Sequence, residues 1–202
     1  MIGARKKQLA IAAVLATFAV GAGVGGLIVS ATTNPARVSG GHAITKSWYA
    51  NNYTVYGPSA IASDGTNIWT ASCGSGAVTK FLAATGALVG TYTISGCLTG
   101  IAFDGTNIWV TNQSTNTVSK LNGSTGATIG TYSLPASSTP KAIVFDGASA
   151  VWTANYGTNT VTKVSTSNGA IVGTYALPAA SLPDGIASDG YSIWTANYGT
   201  SA

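Results

Sequence analysis

The chain contains no glutamate and a single histidine, His42, and its acidic residues are five aspartates. A general acid or base needs a group that titrates near working pH, and here only Asp and Lys remain for that task. Charged residues make up 7% of the sequence while hydrophobic residues make up 46%. So apolar a chain, rich in Val, Ile, Trp and Tyr, is not a disordered polyelectrolyte. The formal charge of +4 does not describe a basic surface either. Arg5, Lys6, Lys7 and Arg37 flank the first apolar run. Beyond residue 40, Lys46, Lys80, Lys120, Lys141 and Lys163 are balanced by Asp64, Asp104, Asp146, Asp184 and Asp189. No basic patch for phosphate contacts is left, so nucleic acid is not an expected partner.

Three cations near the N-terminus precede an uncharged apolar run of 21 residues, Leu9 to Val29. A helix of about 20 residues spans a bilayer. The positive-inside rule keeps Arg5, Lys6 and Lys7 in the cytoplasm and exports the remainder. Residues 1–31 are therefore a membrane anchor, or a signal removed after Ala31 at the small-residue site Val29-Ser30-Ala31. Gly21 and Gly25 form a GxxxG pair in this run, either a helix-packing contact or two tolerated glycines. Residues 32–42, with Pro35 and a Gly-Gly pair, form a polar linker. The remaining domain is 43–202.

That domain repeats. IASDGTNIWTAS at 61–72 returns as IAFDGTNIWVTN at 101–112, IVFDGASAVWTAN at 143–155 and IASDGYSIWTAN at 186–197. A second block follows each complete copy: AVTKFLAATGALVGTY, NTVSKLNGSTGATIGTY and NTVTKVSTSNGAIVGTY. Trp69, Trp109, Trp152 and Trp194 lie 40, 43 and 42 residues apart, and a period near 40 marks a propeller or solenoid. Each period divides into four short β-branched and aromatic segments, the first two joined by Asp-Gly, a hairpin-turn dipeptide. No amphipathic helical period occurs among them. The predicted fold is all-β, a propeller of four-stranded antiparallel blades behind an N-terminal transmembrane helix.

These blocks resemble the NHL/YVTN class of β-propeller repeats over residues 58–202, and are similar to the repeats of streptogramin (virginiamycin B) lyases. That resemblance implies the fold. The lyases use a His/Glu constellation with a divalent metal, and none of those residues is present here to carry over. The expectation is a non-catalytic, extracytoplasmic binding or cell-surface interaction module without metal or cofactor. A lyase-type enzyme and a purely structural surface protein are the alternatives.

Ala43-Ile44-Thr45-Lys46 resembles Ala77-Val78-Thr79-Lys80, and Tyr53-Thr54-Val55 resembles Tyr92-Thr93-Ile94. The domain then reads as two strands, three whole blades and two strands. Either residues 43–57 pair with 186–202, within one chain or in a homodimer, or the sequence is part of a larger ring.

Cys73 and Cys97 fall in two loops expected at the same end of the first blade, and export suits a disulfide between them. The aspartates of the Asp-Gly turns are expected to bond local backbone, and the tryptophans to fill the blades. Where near-identical repeats differ, function has room. After the blade-opening residues Pro58, Leu98, Pro140 and Pro183 come Ser59, Thr99, Lys141 and Asp184, near the mouth of the central channel. Lys141 and Asp184 form either an exposed ion pair or a ligand site. Asn155, Tyr156, Asn197 and Tyr198 lie in loops on the same face and complete the candidate site. The expected ligand is a protein, peptide or glycan.

Overall fold

Asp-Gly turns and β-branched runs of six residues dictate the building unit, and the computed structural model, which describes residues 55–199, shows it three times over. The first sheet comprises β1 (Pro58–Ser63), β2 (Asn67–Ser72), β3 (Ala77–Leu82) and β4 (Leu88–Thr93), paired in sequence order. The second is β5 (Leu98–Phe103), β6 (Asn107–Asn112), β7 (Thr117–Asn122) and β8 (Thr128–Ser133). β9 (Pro140–Phe145), β10 (Ala150–Asn155), β11 (Thr160–Ser165) and β12 (Ile171–Ala176) make the third. β13 (Pro183–Ser188) and β14 (Ile193–Asn197) form a two-stranded sheet that begins a fourth. Every pairing is antiparallel, as short hairpin connections require. There is no helix among the described residues. The proposed transmembrane segment, the linker and the strand-like stretch at 43–54 lie outside them.

The first strands β1, β5, β9 and β13 stand side by side, so the sheets fan outward from a common inner line in propeller fashion. The sheets then pack face to face. Trp69, Ala71 and Val78 of the first blade share a buried cluster with Leu98, Ile101, Ile108, Val110 and Leu121 of the second. Trp109 and Val118 of the second are packed likewise with Ile143, Val151 and Val164 of the third. Each blade thus offers a tryptophan-bearing face to its successor. The tryptophans record how much successor there is: Trp69 and Trp109 are 0% exposed, Trp152 is half-buried, and Trp194 is 63% exposed. The expectation that the tryptophans fill the blades therefore holds for the first two, weakens at the third and fails at Trp194, which has no following blade among the described residues.

A polar stack surrounds each tryptophan. Gly65 takes φ +89° after Asp64, the left-handed conformation that an Asp-Gly turn needs. The turn brings the Asp64 carboxylate back over its own strand. There Oδ1 accepts the backbone N–H groups of Thr66 (2.8 Å) and Asn67 (2.6 Å), and Oδ2 accepts the indole N–H of Trp69 (2.8 Å). The indole of Trp109 reaches Asp104 at 2.6 Å and that of Trp194 reaches Asp189 at 3.0 Å. Across the sheet, Lys80 pairs with Trp69 in register and holds its ammonium 4.7 Å from the ring centroid. On the same indole packs Tyr92, with ring centroids 5.9 Å apart. The second and third blades repeat the arrangement through Lys120 and Tyr132, and through Lys163 and Tyr175.

The stack also crosses between blades. Lys80 Nζ donates to the carbonyls of Gly123 and Ser124 (both 2.9 Å), and Lys120 Nζ to that of Thr166 (2.7 Å), each in the turn between the third and fourth strands of the next blade. Tyr92 and Tyr132 lie over Gly126 and Gly169 of those turns, so closely that a Cβ at either glycine would overlap the ring. Among the described residues Lys163 has no such turn to reach, and it lies 3.8 Å from Asp146 in their one ion pair.

Burial raises the Asp64 pKa, but the hydrogen bonds from Trp69, Asn67 and Thr66 outweigh it and hold the carboxyl at about 2, below its ordinary 3.8. A carboxyl depressed on folding stabilises the fold above its unfolded pKa and loses that contribution as pH falls through the folded one. Urea midpoints measured across this range should fall on acidification between pH 3.8 and about 2, and Asp64→Asn should flatten that part of the profile. Trp109→Ala, which empties a fully buried site, should cost about 3–5 kcal/mol in the same denaturation series.

Candidate functional site

In every blade the pairing of first and second strands slips at one place. Pro58 faces Ser72 and Ala60 faces Ala71, which leaves Ser59 as an extra residue outside the ladder. The same slip sets aside Thr99 between Leu98 and Gly100, Lys141 between Pro140 and Ala142, and Asp184 between Pro183 and Gly185. A β-bulge bends its strand and re-aims the side chain of the extra residue. All four of these residues line one open cavity of about 430 Å³ along the inner strands.

Two of the four are committed to holding the blades together. Ser59 Oγ donates to the carbonyl of Leu98, the opening residue of the next inner strand, and to that of Ala71 (3.1 Å). Thr99 Oγ1 donates to the carbonyl of Pro140 (2.7 Å), one blade further on. At the third and fourth positions the hydroxyl is replaced by an ammonium and a carboxylate. The expected Lys141–Asp184 ion pair does not form, since the two groups do not approach within 4.0 Å. Lys141 Nζ lies 5.5 Å from the ring centroid of Tyr156. Asp184 is exposed and accepts no hydrogen bond among the described residues. The cavity therefore presents one cation and one anion, on adjacent inner strands, with neither neutralised by the other.

The loop residues divide differently from the sequence expectation. Asn155 is 0% exposed: its Nδ2 donates to Thr160 (3.0 Å) and Thr162 (2.8 Å), and its Oδ1 accepts from Thr153 (2.9 Å). It knits β10 to β11 and has no amide group to offer a ligand. Tyr156 is half-buried beneath Lys141, whereas Asn197 and Tyr198, the latter 80% exposed, lie open at the end of β14. The indole–carboxylate–ammonium–phenol stack was not foreseen from the sequence. A signal for it was present: lysine follows each of Trp69, Trp109 and Trp152 by 11 residues, and tyrosine follows each lysine by 12.

On the same face the loops between second and third strands latch onto the segments that lead into the next blade. Asn116, at φ +53°, accepts the N–H of Thr139 (2.7 Å) through its side chain. Asn159, with the same φ, accepts that of Leu182 (2.8 Å). At the first junction this position is Gly76, which has no side chain to make the latch, and the leading segment is two residues shorter. There Cys73 and Cys97 form a disulfide, as their loop positions suggested, and a covalent bond stands where its neighbours have a hydrogen bond.

Neither a family model nor a curated protein matches the chain. Solved structures do, and those named here are β-propeller repeat proteins. A streptogramin B lyase structure aligns with TM-score 0.60 and 23% identity over 68% of this chain and 47% of its own. A catalytically inactive virginiamycin B lyase from Staphylococcus aureus, with quinupristin, aligns with TM-score 0.61 and 24% identity over 72% of this chain and 50% of its own. BamB from Moraxella catarrhalis gives TM-score 0.51 and 21% identity over 59% and 35%. The chain thus spans half or less of these proteins, and at such identities the likeness establishes the fold alone, in agreement with the NHL/YVTN-like repeats.

The disulfide closes a 24-residue separation, for which chain-entropy arguments give roughly 3 kcal/mol. Reduction, or Cys73→Ser with Cys97→Ser, should lower unfolding stability by about that amount, and hydrogen exchange should locate the loosening at the junction of the first two blades.

Proposed function

We propose that this propeller is a non-catalytic binding module that works outside the cytoplasm, with its ligand taken at the inner-strand cavity and the adjoining loops. The observation that carries the reading is the difference among four equivalent bulge positions. Ser59 and Thr99 stitch one blade to the next, while Lys141 and Asp184 do no such work and face the cavity with opposite charge. A ligand that carries both a cationic and an anionic group, as peptides do and many bacterial glycans do, meets a partner for each. Tyr156, Asn197 and Tyr198 add aromatic and amide surface beside them, suited to backbone amides or sugar rings.

Export rests on the N-terminal cation cluster and apolar run, and the disulfide suits an oxidising compartment. A binding role rather than turnover rests on chemistry. The cavity-lining residues include no histidine or glutamate, and the four turn aspartates give their oxygens to indoles and turn amides.

Peptide and glycan arrays probed with the full chain should yield ligands of mixed charge. Because a charge-assisted hydrogen bond contributes roughly 1.5–3 kcal/mol, Lys141→Ala and Asp184→Ala should each weaken binding at least roughly tenfold. Asn155→Ala should act through stability instead. Arrays without mixed-charge ligands, or turnover of quinupristin by the chain, would count against the reading.

A further inference from the structure

The two blades that carry a charge at the inner bulge also differ from the others in a loop. Four residues after each tryptophan stands Cys73 in the first blade, Gln113 in the second, Tyr156 in the third and Tyr198 in the fourth. Tyrosine thus accompanies Lys141 and Asp184 but neither Ser59 nor Thr99. In the third blade the two members meet. Lys141 Nζ lies 5.5 Å from the Tyr156 ring centroid, within reach of a cation–π contact. In the fourth blade the same two places hold Asp184 and Tyr198, both exposed. A carboxylate has replaced the ammonium there, and no cation lies over Tyr198 among the described residues.

The third blade shows where a cation belongs. The Lys141 side chain runs from the bulge to the ring of its own blade. In the fourth blade that line begins at the Asp184 carboxylate and ends at the Tyr198 ring. A ligand ammonium placed on it gains a charge-assisted hydrogen bond at one end and an aromatic face at the other. Tyr156 receives its cation with β13 packed beside the third blade, so the arrangement does not depend on what adjoins β14. On the neighbouring strand Lys141 makes no ion pair among the described residues, and its ammonium is available to an anion.

One place for a cation and one for an anion share a cavity of about 430 Å³. That volume suits a small ligand rather than a long polymer. A short peptide with unblocked ends meets both demands whatever its sequence, with an ammonium at one end and a carboxylate at the other. A glycan of that size does so only where an unsubstituted amino sugar adjoins an acidic one. Resting on the reading of this cavity as a ligand site, we propose that it takes short peptides with both ends free. Asp184 and the Tyr198 ring hold the amino terminus, and Lys141 holds the carboxylate.

The test dialyses a tripeptide library with free ends against the full chain in detergent and identifies the retained peptides by mass spectrometry. Each is then titrated singly in free, N-acetylated and C-amidated form. Acetylation and amidation should each weaken binding roughly tenfold or more, since each removes one charged partner. Asp184→Asn and Tyr198→Leu should abolish the discrimination against acetylated peptide and keep that against the amide. Lys141→Ala should do the reverse, and Tyr156→Leu should leave the discrimination against acetylated peptide intact. Peptides that bind equally well after acetylation overturn the proposal, as does discrimination that survives both Asp184→Asn and Tyr198→Leu. A library with no retained peptide overturns it too. If mixed-charge glycans then bind, the cavity remains a ligand site of another class; if they also fail, the binding reading falls with it.

Discussion

A four-stranded blade with tryptophan on one face cannot stand in water alone, and that requirement organises the molecule. The face bearing Trp69 is buried only because the second blade lays Ile101, Ile108 and Leu121 against it, and the second depends on the third in the same way. Stability in such an array comes from interfaces between neighbours more than from any single sheet. The exposure of the tryptophans, from none at Trp69 to most of the ring at Trp194, is this dependence made visible along the chain.

With so few charges available, the repeat places them where each has several partners. Lys80 and Lys120 are almost fully buried, a costly position for an ammonium unless it is satisfied. Each is satisfied twice, by the face of an indole and by backbone carbonyls of the following blade. The aspartate accepts the indole N–H, so the ring is held between an acceptor at its edge and a cation over its face. Polar groups thus set the angle at which one blade meets the next, and the apolar faces supply the driving force.

Much of this was legible in the residues. The recurrence of Asp-Gly and Trp marked the blades, their strands and their turns, and the loop positions of Cys73 and Cys97 indicated the bridge. The four mouth positions were found as the places where near-identical repeats diverge. What the residues did not show was why those positions face the cavity, because a bulge is a mismatch between two strands and appears in neither strand alone. The Asn155 misreading has a similar origin. A loop-end asparagine looks exposed in sequence, but Thr153, Thr160 and Thr162 converge on it only after β10 and β11 pair. The stack is hard to see in sequence because its members, Asp64 to Tyr92 in the first blade, are spread over a turn and three strands.

The bulge has a consequence for how such a molecule can vary. A residue inside a ladder answers to its opposite number, so changing it disturbs pairing and packing together. Ser59, Thr99, Lys141 and Asp184 have no opposite number, and the strands on either side keep their register whatever side chain stands there. Each repeat therefore contributes one position to the mouth that lies outside the strand pairing, although at Ser59 and Thr99 the side chain is taken up in joining one blade to the next. Hydroxyl, ammonium and carboxylate already occupy these places in a single chain. The mouth is in effect a row of interchangeable sockets on a fixed rack, and duplicating a blade adds a socket without redesigning the rack.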